Sequence, residues 1–339
     1  MTVDALPDLS VVVVGHRMAR QFANTLFTLS PAYQRELGTL HYEVIVVEND
    51  SDDALGGESI AALPNNFRYF RRTETSRSPA GALNFGLQQC RGECIGLMLD
   101  GARLLSPRTL SYAALAHRMD AHSLTIVPGY HLGEVAHHEL TDGAAAYVTE
   151  ERLLGDIDWR DNGYLLFTVS TPGGGNARGV LQPFMESNCL FAARSHFERI
   201  GGIDNRFQHD GGGAINLHLF RALGMLEDSR LVVLPGEGSF HQYHGGVTTR
   251  ARPDREQELR RYRDELDALW NGQFHALRRE PFLLGAITAW AMPAMEQSVR
   301  HAIVRHHRLD GLGQSPWQDD TDIATQRTSR QRHAPETTA

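Results

Sequence analysis

Cysteine is scarce in this 339-residue chain: Cys90, Cys94 and Cys189 are the only three, with no Cys-x-x-Cys pair. So few, so placed, exclude a disulfide framework and point to reduced thiols in a cytosolic compartment. Positive charge is also short, 33 Lys and Arg against 41 Asp and Glu. The resulting net charge of −8 argues against a nucleic-acid binder, which would show a basic face. No apolar run reaches the roughly 20 residues that span a bilayer. The longest, residues 282–295, is interrupted by Pro293. Residues 1–9 carry neither the basic nor the apolar part of a signal peptide, and no internal repeat is visible. These absences predict a cytoplasmic protein whose membrane contact, if any, is peripheral and at the inner face.

What the chain does have is a pattern. Three short apolar runs in the first hundred residues each end on polar or acidic residues: 10–14 before Gly15-His16-Arg17, 42–47 before Glu48-Asn49-Asp50-Ser51, and 94–99 before Asp100-Gly101. Near-continuous β-branched runs of this length read as strands buried on both faces of a parallel sheet. Ligands of such sheets bind beyond the carboxyl ends of the strands, so His16, Glu48 and Asp100 are expected to share one crevice. Between the runs, Phe22, Leu26, Leu29 and Tyr33 mark one face of a helix within 18–40, despite Pro31. Ser78-Pro79 reads as the start of another. The β-α-β-α-β order predicts an α/β fold with a doubly wound layer over 9–130.

The second half is less regular. It suggests a strand at 164–170, a glycine-rich loop at 171–176, a strand running into a helix over 189–200, and a short strand at 231–234. Helices are expected over 254–270 and 281–306, with a polar, disordered tail at 311–339.

On four stretches taken in order, the chain resembles a family 2 glycosyltransferase of the GT-A type. Residues 10–17 stand where that family has its first nucleotide-binding strand, and 46–51 stand in for its run of acids, glycine and serine. Residues 80–87 with Arg91-Gly92-Glu93 resemble its small-residue helix followed by Arg-Gly-Glu. Ile200-Gly201-Gly202-Ile203-Asp204 resembles its acceptor-side Gly-Gly-Phe-Asp segment. The resemblance implies a GT-A domain over 1–250, split into a nucleotide-sugar half (9–130) and an acceptor and metal half (131–250) with a mixed sheet, then a helical extension at 251–310. It also implies hexosyl transfer, with inversion, from a UDP- or GDP-sugar to the hydroxyl of a glycan, lipid-linked or small-molecule acceptor in glycan biosynthesis. Two motifs depart from the family. Leu99-Asp100-Gly101-Ala102 replaces Asp-x-Asp, leaving one carboxylate, and 210–216 lacks the Glu-Asp pair that holds the general base.

The site residues expected on these grounds are as follows. Asp100 would serve a metal–diphosphate site, with His241 and His244 from Phe240-His241-Gln242-Tyr243-His244-Gly245-Gly246 completing the ligands of a Mn²⁺ or Mg²⁺ ion. Neutral imidazole favours Mn²⁺. His16, Glu48, Asp50, Arg77, Asn84 and Asp100 are the expected nucleotide-binding residues. Asp210 is the first choice for the catalytic base, and Glu186 the alternative. The pairs His137-His138 and His306-His307 read as surface. Residues 173–179 read as a loop over the acceptor rather than a dinucleotide fingerprint. Two other classes compete: a sugar nucleotidyltransferase, which should carry a glycine-rich loop where His16-Arg17-Met18 stand, and a non-catalytic sugar- or partner-binding domain.

Overall fold

The computed structural model describes residues 6–317 except 75, 77, 141, 246–254, 272–274, 312, 314 and 316. The first part of the chain runs β1 (Leu9–Gly15), α1 (Ala19–Thr28), β2 (Tyr42–Asn49), α2 (Gly57–Ala61), β3 (Phe67–Arg72), α3 (Ala80–Gln89), β4 (Cys94–Met98), β5 (Arg103–Leu105), α4 (Thr109–Met119), β6 (Ser123–Ile126) and β7 (Gly129–Leu132). It continues through α5 (Gly143–Gly155), β8 (Ser170–Pro172), β9 (Cys189–Ala193), α6 (Arg194–Arg199), α7 (Ile215–Gly224), β10 (Arg230–Val233), β11 (Ser239–His241), α8 (Arg255–Leu269), β12 (Phe282–Leu283) and α9 (Met292–Asp310).

The main sheet has eight strands in the order β12-β10-β6-β9-β4-β1-β2-β3. All its pairings are parallel except those of β9, which runs antiparallel to β4 and β6. The expected α/β class with a mostly parallel, Rossmann-like first half is therefore present. The valine run explains the central strand. All seven residues of β1 are buried, with Val12 and Val14 in the core on one face and Val11 and Val13 in the core on the other. Each such side chain contributes about 1.5–3 kcal/mol by leaving water. Helix α3 packs closely enough on β1 that a Cβ on Gly86 would lie 2.3 Å from Val12 Cγ1.

A second sheet, in the order β5-β11-β7-β8, sits on its own apolar cluster of Leu104, Tyr130, Trp159, Leu166 and Phe240. Sequence periodicity does not reveal β5, β7 or β11, because each has only three or four residues.

Several boundaries differ from expectation. Helix α1 stops at Thr28, ahead of Pro31. The stretch expected to be a strand at 164–170 is mostly a 3₁₀ segment, Gly163–Val169, with β8 starting at Ser170. The apolar segment after Pro281 is not one helix. Phe282–Leu283 pairs with β10 at the sheet edge, Gly285 takes φ +108°, and α9 begins only at Met292. Helix α8 turns Tyr262 and Leu266 into the main core, joined there by Trp270. Among the described residues no helix is long and apolar enough to cross a membrane. The tail expected to be disordered lies outside the described residues from 318 onward.

Candidate metal and donor site

Strand β4 delivers Asp100 to the carboxyl edge of the main sheet. There Asp100 Oδ1 accepts the backbone N–H of Ala102 at 2.9 Å, closing a turn that leads into β5. Gly101 is required in that turn, since a Cβ there would meet Val14 O at 2.4 Å. The antiparallel pairing of β5 with β11 then sets Arg103 opposite His241. Asp100 Oδ2 consequently lies 2.7 Å from His241 Nε2 and 3.5 Å from His244 Nε2, and the two imidazole nitrogens are 3.1 Å apart. The residues picked from separate parts of the sequence as a metal set are thus brought together.

The histidine segment is anchored rather than loose. Gln242 Nε2 donates to Gln21 O at 2.9 Å, and Gln21 Nε2 donates to Tyr243 O at 2.6 Å. The backbone N–H of Tyr243 donates to Glu150 on α5. His241 is 2% exposed, and the side chains of His244 and Asp100 are 15% and 21% exposed.

The electrostatics suit a cation. Burial would raise the Asp100 carboxyl, but the adjacent His244 and His241 outweigh it and hold it well below the usual carboxylate range. Burial pushes the His241 imidazole down to about 4. At neutral pH Asp100 is an anionic oxygen ligand and His241 a neutral imidazole, the forms that ligate metal. The three ligand atoms lie within 4.8 Å of one another. One carboxylate with two imidazoles fits Mn²⁺ or a similar transition ion better than Mg²⁺, which takes oxygen ligands.

Three residues beside this set escaped the sequence reading. Arg103 is 7% exposed, and burial lowers its pKa. His131 on β7 is the register partner of His241 on β11. His137, expected at the surface, is instead 1% exposed, with Nε2 3.0 Å from Leu132 O. Cross-strand register brings Arg103 and His131 to the site, and no short motif could have marked them. Arg103 and His131 also line a cleft with Gly173, Gly174, Gly175, Asn176, Glu186 and Asn188.

The other expected residues divide. His16 is exposed immediately after β1. Asp50, just past β2, is exposed, pairs with Arg71 and accepts Thr73 Oγ1–H at 2.6 Å. Glu186 lines the cleft and accepts Asn216 Nδ2–H at 2.7 Å; burial raises its pKa. Asp210 is exposed on the 3₁₀ turn Asp210–Gly212.

Two expectations need correcting. Glu48 does not open onto the crevice. It is fully buried, and its carboxylate accepts the Leu55 N–H at 3.0 Å and the Tyr69 hydroxyl at 2.6 Å, so it pins the segment after β2. Asn84 is likewise occupied. Its amide donates to Ile203 O at 2.8 Å and accepts from Ile203 N at 2.9 Å, tying α3 to the Gly201-Gly202 turn. Arg77 lies outside the described residues.

Residues 16–112 match the family model Glycosyl transferase family 2. The matched span holds α1, β2, β3, α3, β4 and Asp100, so the resemblance read from the sequence is borne out over the family 2 segment. Among solved structures, the mannosyltransferase PcManGT from Pyrobaculum calidifontis, in complex with GDP-Man and Mn²⁺, is 15% identical, with a TM-score of 0.49, covering 98% of this chain and 82% of that one. TarS from S. aureus is 13% identical with a TM-score of 0.47, covering 77% of this chain, which matches 40% of the TarS chain. A TarS 1-349 structure in complex with UDP is 15% identical with a TM-score of 0.44, covering 75% of this chain and 64% of that one. No curated protein matches.

Proposed function

We propose that this protein is a nucleotide-sugar-dependent glycosyltransferase that moves a hexosyl group, with inversion, from a UDP- or GDP-sugar to an acceptor hydroxyl. The observation that carries this reading is the meeting of Asp100 with His241 and His244 at the carboxyl end of β4, inside and beside the segment that matches family 2. His16 and Asp50, at the ends of β1 and β2, hold the nucleoside. Asp100, His241 and His244 hold a Mn²⁺ ion, which when bound neutralises charge on the diphosphate of the departing nucleotide.

Glu186 takes the acceptor proton. It lines the cleft beside Arg103 and beneath the Gly173-Gly174-Gly175 loop, whereas Asp210 sits on an exposed turn. The raised pKa of Glu186 makes it a stronger base, and Asn216 orients one of its oxygens. A cytoplasmic location fits the three free cysteines. The exposed Trp290, Met292 and Val304 on and just before α9 support peripheral contact with a membrane carrying a lipid-linked acceptor.

A second reading, a non-catalytic sugar-binding domain, draws on Ala102 standing where a second carboxylate is usual. Nucleotide release from UDP- and GDP-sugars with and without Mn²⁺ separates the two. Metal-dependent release supports the enzyme; saturable binding without any release supports the binding domain. Within the enzyme reading, Glu186→Gln should lower kcat about 10²-fold or more and Asp210→Asn should not. The reverse result would make Asp210 the base.

A further inference from the structure

His241 has a second nitrogen, the buried Nδ1, and its ring packs against a second constellation. His131, His137 and His241 each offer one ring nitrogen, and these lie within 4.8 Å of one another. Their rings contact pairwise, with centroids 4.5 Å apart for His131 and His137, 5.3 Å for His131 and His241, and 5.1 Å for His137 and His241. The fold fixes this arrangement. His131 and His241 are direct partners across β7 and β11, and His137 returns over them on the 3₁₀ turn His137–Glu139.

The protons can be placed by chemistry. Leu132 O can only accept, so His137 Nε2, 3.0 Å away, carries the proton and leaves a lone pair on Nδ1. His241 Nε2, 2.7 Å from the Asp100 carboxylate, likewise carries a proton in the metal-free chain and leaves a lone pair on Nδ1. Both Nδ1 atoms are buried with no hydrogen-bond partner among the described residues, on side chains 1% and 2% exposed. Buried acceptors left unmatched are uncommon and call for a partner. An imidazole that donates through one nitrogen to a carbonyl or carboxylate and presents the other inward has the orientation of a metal-bound histidine.

We propose that His131, His137 and His241 form a second, three-histidine site for a transition-metal dication of the zinc class, with water as the fourth ligand. Tetrahedral Zn²⁺ holds its nitrogens at about 2.0–2.1 Å, which sets them about 3.3 Å apart, so the three rings turn inward on binding. Imidazole ligands favour Zn²⁺, Cu²⁺ or Ni²⁺ over Mg²⁺ or Ca²⁺. The site is distinct from the Asp100 set because it uses the opposite nitrogen of His241. It does not depend on the proposed transferase activity. A neutral His241 ring serves one set at a time, so the two sites compete for it.

The test uses the untagged full-length chain, titrated with Zn²⁺ by calorimetry and with Co²⁺ by visible absorption. Wild type and Asp100→Asn, which keeps an acceptor for His241 Nε2–H, should each bind one equivalent with the absorption of four-coordinate Co²⁺. His137→Leu and His131→Asn should lose at least 10-fold in affinity, with metal-free melting curves confirming that both are folded. Pulsed EPR of wild type with less than one equivalent of Cu²⁺ counts the bound imidazoles without any variant, and three are expected. Unchanged affinity in both histidine variants, loss of binding in Asp100→Asn, or two or fewer imidazoles on copper would overturn the assignment.

Discussion

Nε2 of His241 lies 2.7 Å from Oδ2 of Asp100, a contact made by the end of β4 and the end of β11 across the junction of two sheets. His244 is the more exposed of the two histidines beside that carboxylate, and its removal leaves the buried core untouched. His244→Ala should therefore weaken Mn²⁺-dependent UDP or GDP binding at least tenfold while shifting the melting temperature by no more than a few degrees. Calorimetric titration with and without Mn²⁺ checks the first part and a thermal melt the second. Full retention of metal-dependent affinity would remove His244 from the ligand set.

Ala102 occupies the place of the second carboxylate in Asp-x-Asp, yet it is fully buried among Phe22, Leu105 and their neighbours. Restoring the motif with Ala102→Asp would put an unpaired charge in that core. It should destabilise the protein by about 3 kcal/mol or more and add no metal affinity. Urea unfolding and Mn²⁺ titration of the variant measure both. Tighter Mn²⁺ binding in a stable variant would show that the position faces the site.

Asn84 holds both backbone groups of Ile203. Asn84→Ala should cost about 1–3 kcal/mol of stability, because it strands those groups, and leave nucleotide affinity unchanged. Denaturant unfolding together with calorimetry separates this bracing role from a nucleotide contact, which would move affinity instead.

Glu237 is buried beneath the small sheet, and burial lifts its carboxyl to about 7, although Ser106, Tyr164 and the Arg108 N–H hydrogen-bond to it. The folded protein holds that proton more tightly than the unfolded chain. The stabilisation is complete below about pH 4.5 and is lost as pH rises towards 7, a change on the order of 3 kcal/mol. Glu237→Gln should flatten this slope. Its amide can turn oxygen to Ser106 and Arg108 and nitrogen to the Tyr164 oxygen. Unfolding free energies at pH 5 and pH 8 for both proteins measure the difference, and parallel pH profiles would count against the assignment.

The three apolar strands were legible in the sequence because burial on both faces leaves a continuous run, and β1, β2 and β4 have that burial. Asp100, His241 and His244 were legible as residue types at strand ends and beside glycine. Their mutual contact was not, since it arises from pairing between three-residue strands. His137 looked like surface for the same reason: nothing near it in sequence tells that it will pack against His131 on β7 and His241 on β11. Glu48 was misread because an acid at the end of a strand has the same signature whether it faces a ligand or accepts the N–H of Leu55. Asn84 shows the converse, a half-buried polar residue on α3 whose partner lies far along the chain.

The anchoring of the His241–His244 segment to Gln21 on α1 and Glu150 on α5 has a consequence for how the protein can be handled. Closing the Asp100–His241 contact joins points separated by more than a third of the chain, and such distant loop closure comes late and slowly in folding. A fragment ending near residue 130 would keep the first parallel strands and Asp100 but contain no imidazole to meet it. Metal-dependent nucleotide binding would then report completion of folding itself, and fragment complementation between the two halves would restore it only where the pieces dock in the native register.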